Sequence, residues 1–167
     1  DGWQRDLQNN VTLLEATLTC EKLTDAAVFN GLRFKGGSRA INLKACSPEI
    51  SDCIFENCTD IAVYITEASS PLFRNCVFQD NHKSGSYGGA VRCHTSSPLF
   101  AYCRFVNNRV DDYGGAVFCE SSQASFVRCA FEGNVGTKSN SYGGAIYQDS
   151  SSQTVAVQCR FKDNRAS

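Results

Sequence analysis

Six phenylalanines organise this chain. They sit at the centres of related phrases, "LRFKGG", "CIFENC", "CVFQDN", "CRFVNN", "CAFEGN" and "CRFKDN", as Phe34, Phe55, Phe78, Phe105, Phe131 and Phe161. The intervals are 21, 23, 27, 26 and 30 residues. A phrase that returns at such a period with variable inserts marks a solenoid, in which each repeat buries its apolar face only against its neighbours. A second phrase, "YGGA", returns at Tyr87, Tyr113 and Tyr142. The inserts fall between the residue three after the phenylalanine and the next "GGA", so they read as loops leaving one corner of each coil.

Inside a repeat the apolar positions alternate, which is the period of strands. In "GGAVRCH" the alternation sends Val91 and Cys93 inward and Arg92 outward. The matching inward pairs are Ile41 with Leu43, Val63 with Ile65, Val117 with Cys119, and Ile146 with Gln148. In the phenylalanine strand each Phe shares its side with Leu32, Cys53, Cys76, Cys103, Cys129 or Cys159. Three residues earlier comes another mostly apolar column: Phe29, Ile50, Phe73, Phe100, Phe126 and Ala156. A step of three implies a bend between two short strands. Pro48, Pro71 and Pro98 open the strand before that bend, where a missing N–H costs least. The expectation is an all-β parallel β-helix of about six coils, three short strands per coil. At roughly 4.8 Å per coil the rod would be about 30 Å long. Residues 1–27 would form a partial coil or cap, with Trp3 or Leu7 over the core, and 28–167 the repeats of one domain.

The "GGA[VIL]" and "FxxN" pair resembles the repeat of chlamydial polymorphic outer membrane proteins. The longer phrase "SSPLFRNCVFQDN…GGAV" is similar to bacterial right-handed β-helix repeats of the pectate-lyase-like superfamily. The resemblance spans Val28 to Asn164; the first two coils depart from it, with Gly37 and Cys58 in place of the Asn and no "GGA". It implies a right-handed coil, as does the rule for parallel crossovers. It also implies display outside the cell, as an outer-membrane passenger or a secreted chain. Ten cysteines and the lack of any Met fit a processed chain or a fragment of a longer one. A net charge of −1 argues against a nucleic-acid partner.

Each column has a structural and a functional reading. Asn81, Asn108, Asn134 and Asn164 recur once per coil, as a corner hydrogen-bond ladder requires, and Asn tolerates the left-handed backbone of corners; a glycan or ion site is the alternative. Cys53, Cys76, Cys103, Cys129 and Cys159 form a column of five, an odd number, and read as free buried thiols. Cys46, Cys53 and Cys58 allow one local disulfide, whereas Cys20 lies outside the repeat with no assignable partner. Tyr87, Tyr113 and Tyr142 form either an aromatic ladder or a sugar-binding stripe. With the outward Tyr64, Arg92, Phe118 and Tyr147 they make the candidate face for a protein or glycan partner.

Enzymes of the superfamily work on the outer face with carboxylates, basic residues or Ca²⁺. Here the outward columns hold Arg33, Ile54, Val77, Arg104, Ala130 and Arg160, and Asn42, Tyr64, Arg92, Phe118 and Tyr147, none of them an acid. Asp111 and Asp112 superficially resemble paired catalytic aspartates, but they sit in an insert loop and read as turn residues. His82 and His94 accompany no nucleophile motif. No catalytic or cofactor-binding set is assigned. Asp80, Asp163 and Glu132 follow the phenylalanines at corners and could take Ca²⁺, although Val106 fills that slot in its coil. The expected role is a structural or adhesive module that meets a host or neighbouring-cell surface protein or glycan through its face and through loops Asn81–Tyr87, Arg109–Tyr113 and Val135–Tyr142. Polysaccharide binding or cleavage, and end-to-end self-association into a fibre, are the rival expectations.

Overall fold

A computed structural model describes residues 12–22 and 27–167; the proposed cap at Trp3 or Leu7 lies outside them. Every element described is a strand, and every pairing is parallel to the equivalent strand one coil away. The phenylalanine wall has seven strands: Thr12–Leu14, Leu32–Lys35, Ile54–Glu56, Val77–Gln79, Arg104–Val106, Ala130–Glu132 and Arg160–Lys162. The aliphatic wall has six: Leu18–Glu21, Ile41–Lys44, Val63–Thr66, Val91–His94, Val117–Glu120 and Ile146–Gln148. A third wall of six runs Val28–Asn30, Glu49–Ser51, Leu72–Arg74, Leu99–Ala101, Ser125–Val127 and Val155–Val157. The chain visits these walls in that order, so six coils stack into a parallel β-helix.

The inserts are not wholly loop. His82–Lys83, Arg109–Val110, Val135–Gly136 and Arg165–Ala166 pair into a short fourth wall between the phenylalanine and aliphatic walls. Two residues per coil are too few for an alternating pattern to register in the letters.

Register places like residues on like. Phe34, Phe55, Phe78, Phe105, Phe131 and Phe161 stack with centroids 4.6–5.0 Å apart. Phe73, Phe100 and Phe126 make a second stack across the core, at 4.8 and 5.0 Å, edge-on to the first. Such ring pairs contribute about 0.5–1.5 kcal/mol each beyond the area they bury. At the last rung the stack is open: Phe161 is 50 % exposed, whereas Phe131 is fully covered.

Corners are turned by single left-handed residues. Asp52, Asn75, Tyr102, Arg128 and Gln158 bend the chain before the phenylalanine wall, and Asn57, Asp80, Asn107 and Asp163 bend it after. The ladder asparagines are therefore not the left-handed residues; their predecessors are, which corrects the expectation from sequence. An Asn in the ladder must aim its side chain into the rod, and the preceding bend gives it that direction.

The ladder runs along the rod interior. The Asn81 amide donates to Asn108 Oδ1 at 2.9 Å, Asn108 to Asn134 at 3.0 Å, and Asn134 to Asn164 at 2.8 Å. Each also donates to a phenylalanine-wall carbonyl of the previous coil, such as Asn108 to Phe78 at 2.9 Å. A parallel serine ladder, unread in the sequence, holds the corner before the third wall: the Ser96 and Ser122 N–H groups donate to Ser122 and Ser152 Oγ.

The "YGGA" glycines have two separate tasks. Gly114 has φ +70°, and a Cβ there would strike the Val117 carbonyl. Gly115 has ordinary φ, but its Cβ would strike the Gly144 carbonyl, so it is glycine because adjacent rungs touch there.

Candidate functional site

Outward residues of the aliphatic wall and the tyrosines that precede it form one surface. Tyr64, Arg92, Phe118 and Tyr147 align in register, and Tyr87, Tyr113 and Tyr142 bridge rung to rung beside them. The tyrosine rings stack at 6.0 and 5.7 Å, and Phe118 and Tyr147 stack at 5.4 Å. The two columns lean together: Tyr87 lies 4.6 Å from Phe118, and Tyr113 4.9 Å from Tyr147. Phe118 points outward yet is only 4 % exposed, because these rings cover it. Tyr87 and Tyr142 form the accessible part, at 39 % and 57 %.

Charge is threaded through the rings. The Arg92 guanidinium lies 4.8 Å from the Tyr87 centroid, 5.4 Å from Tyr64 and 5.8 Å from Phe118, and pairs with Glu120 at 2.7 Å. Arg39 lies 5.2 Å from the Tyr64 centroid and pairs with Asp60 at 2.7 Å, while Lys83 reaches the other Asp60 oxygen at 2.6 Å. Burial pushes the Asp60 carboxyl up, but Lys83, the Ile61 amide and Arg39 together outweigh it and hold the group below its usual range. Further along, Tyr87, Tyr113, Phe118, Glu120, Tyr147 and Asp149 enclose a groove of about 240 Å³.

Sequence reasoning named the rings and Arg92 but missed Arg39, Asp60, Lys83, Glu120 and Asp149. Glu120 was readable, standing two residues after Phe118 on the same side of a strand. Arg39, Asp60 and Lys83 come from corners and the short wall, where no alternation tells which way a side chain points.

The other candidates are accounted for by their surroundings. Asp112 pairs with Lys138 at 3.0 Å, and Asp111 accepts from the Gly85 amide at 2.9 Å. Glu132 pairs with Arg104 and Arg160. It shares its register with Val106 and Lys162, whereas Asp80 and Asp163 stand one place on, at the left-handed corners. Among the described residues no three acidic, His or Cys side chains converge as a metal site would require. His82 and Arg109 line a separate cleft of about 280 Å³ beside the asparagine ladder.

Cys20 is bonded to Cys46 across adjacent coils, with Cα atoms 6.2 Å apart, which corrects both sequence expectations for these residues. Cys46 occupies a slot of the serine ladder, its N–H donating to Ser69 Oγ at 3.0 Å. The other eight cysteines are free thiols. Each column thiol donates to carbonyls at the bend, as Cys76 does to Ile50 and Arg74 at 3.4 Å. Burial pushes the Cys76 and Cys103 thiols up, and takes Cys58, beside Asp60 and Glu56, to about 11. Thiols raised in this way pack as fillers of the core, whereas hydrogen bonds from the Cys93 and Cys103 thiols hold Cys119 and Cys129 below the usual thiol range.

A family model described as "Right handed beta helix region" matches residues 9–166. No curated protein and no solved structure matches the chain.

Proposed function

The chain belongs to the right-handed β-helix family, and on that premise we propose that it is an extracellular or surface-displayed recognition module, structural and adhesive in role. The observation that carries this reading is the aromatic face. Tyr64, Arg92, Phe118 and Tyr147 are fixed by strand register, and Tyr87, Tyr113 and Tyr142 by stacking, so little side-chain entropy is left to lose when a partner binds. Tyrosine and arginine are also the residues that dominate contact energies at protein interfaces. The Cys20–Cys46 bond favours an oxidising compartment. The "GGA[VIL]" and "FxxN" phrases favour a chlamydial-type outer-membrane passenger as its setting. The partner is a surface protein or glycan of a host or neighbouring cell.

The test is an array of cell-surface proteins and glycans probed with the chain and with a Tyr87→Ser/Tyr142→Ser variant. Binding that the variant loses while its melting temperature holds supports the reading; binding that survives the substitutions overturns it.

A polysaccharide-directed module is the second reading, favoured by the exposed Tyr142 ring, nearly parallel to the half-buried Tyr113 at 8°, on whose open face a sugar could lie. Incubation with acidic polysaccharides, with and without Ca²⁺, separates binding from cleavage, because lyase products absorb in the ultraviolet.

A further inference from the structure

We propose that the groove between Tyr113, Phe118 and Tyr147 receives the guanidinium of an arginine side chain carried by an extended segment of a partner protein. The inference rests on the reading of this face as a recognition surface and gives it a chemistry.

The molecule already contains one occupied version of the niche. Arg92 is held among Tyr64, Tyr87 and Phe118, with Glu120 from the next coil closing it at 2.7 Å. One coil further on the parts recur. Tyr113 replaces Tyr87, Tyr147 replaces Phe118, and Asp149 follows Tyr147 by two residues as Glu120 follows Phe118. Two positions change: the one aligned with Arg92 is now Phe118, whose ring fills it, and the one aligned with Tyr64 is now Arg92, so the guest is placed on the outer faces of the rings. Among the described residues, the groove is lined by four aromatic rings and two carboxylates; Glu120 is already paired with Arg92, which leaves Asp149 as the carboxylate without a cationic partner.

Asp149 is poised for such a guest. Its carboxylate accepts from the Ser121 and Ser151 amides at 3.2 Å and from the Ser152 hydroxyl at 2.6 Å. These neutral donors orient it, and the Ser152 hydroxyl with the backbone amides holds it below the usual carboxylate range, so it stays charged. An oriented anion beside ring faces attracts a cation twice over, through charge and through the ring quadrupoles.

The chemistry favours a guanidinium over an ammonium. All five cation–ring contacts described in this protein use arginine, while Lys83 and Lys138 go to carboxylates. A planar guanidinium lies flat on a ring and still directs its N–H groups sideways to a carboxylate, which a compact ammonium cannot do as well. The groove, at about 240 Å³, is smaller than sites that enclose whole small molecules. A side chain on a peptide obtains its remaining contacts from its neighbours along the face.

The probe is a capped Gly-Gly-Arg-Gly-Gly peptide, titrated while ring resonances are followed by NMR, beside its citrulline counterpart, which keeps the shape and loses the charge. The arginine peptide is expected to shift Tyr113 and Tyr147, to weaken with added salt, and to bind about tenfold more tightly than citrulline. Tyr147→Leu, which keeps the apolar bulk, should cost about 5-fold to 30-fold with an unchanged melting temperature. Asp149→Asn should lower affinity too, and its melt reveals any loosening of the Ser121–Ser152 turn. Equal binding of arginine and citrulline, or arginine affinity within about twofold in folded Tyr147→Leu, overturns the proposal. If that happens while an array partner is still lost on Tyr87→Ser/Tyr142→Ser, the recognition reading stands and only this one falls.

Discussion

The first three coils and the last three solve the same corner problem with different chemistry. In the later coils the turn from the phenylalanine wall to the aliphatic wall carries an Asn, a two-residue strand and a Gly pair, and the Asn side chains bond rung to rung. In the earlier coils that turn is short. Cys58 takes the Asn slot: its N–H donates to Asn81 Oδ1 at 3.1 Å, and its thiol makes only long contacts, 3.6 Å to the Gly36 carbonyl and 3.9 Å to the Glu56 carbonyl. The Cys20–Cys46 bond ties two of these early rungs at another corner, the one that follows the aliphatic wall. Outside, the early coils present Asn42, Arg39 and Asp60, and the later coils present rings. A slot in a solenoid is thus defined by the backbone group to be satisfied, not by a residue type, and a covalently bonded residue can stand in a ladder, as Cys46 does among the serines.

The sharpest way to break this comparison is at the ladder. Asn108→Leu removes donors to Phe78 and Asn134 and takes the acceptor from the Asn81 N–H and from one hydrogen of the Asn81 amide, which keeps its bond to Phe55, all in a fully buried position. The expected loss is about 3–5 kcal/mol, roughly 6–20 °C in melting temperature by circular dichroism. Cys58→Ala, in the equivalent slot, deletes two long thiol contacts and should cost about 1 kcal/mol, cavity included. Equal losses would mean that the two slots are not equivalent.

The disulfide comes next. Opening it should cost about 2–4 kcal/mol, but locally, because coils contact only their neighbours. Hydrogen exchange after Cys20→Ser should rise in Leu18–Glu21 and Ile41–Lys44, which pair directly, and stay unchanged in Val117–Glu120. A uniform rise along the chain would contradict local tying. Cys46→Ser should be the milder of the two substitutions, since serine is the native occupant of that corner at Ser96 and Ser122.

Thiol labelling tests the same division without mutation. In denaturant without reductant eight cysteines should alkylate, and ten after reduction. In the folded chain Cys159 should react first, since it alone of the free thiols is half-buried. Fewer than eight adducts in denaturant would mean that column thiols also pair.

What could be read from the letters follows from these contrasts. Alternation decides which way a wall residue points, so both phenylalanine stacks, the asparagine column and the outward rings were legible. Left-handed corners were not, because Asp52, Asn75, Tyr102, Arg128 and Gln158 share a conformation and no side-chain chemistry. The Cys20–Cys46 pairing was equally hidden: one residue belongs to a wall and the other to a corner, and only the stacked coils bring them together. The charged companions of the aromatic face failed for the first reason again, being corner residues for the most part.

The smallest effect separates the two halves electrostatically. Asp60 serves Arg39 and Lys83 at once, and its folded pKa lies below the usual 3.8. A depressed carboxylate stabilises the fold at any pH above its unfolded value, and that contribution disappears as pH falls through the folded value. The advantage of the native chain over Asp60→Asn should therefore be constant from neutral pH down to about 4 and vanish below it. Its size should stay under about 1 kcal/mol, since the side chain is 24 % exposed and solvent screens the pair. Asp112 in the later coils is lowered by Lys138 in the same direction, but Lys138 is 56 % exposed, against 27 % for each partner of Asp60, so solvent screens that pair more. Asp112→Asn should consequently leave the acid limb of the stability curve unchanged in urea melts. If it instead matches Asp60→Asn, the early coils have no electrostatic tie of their own.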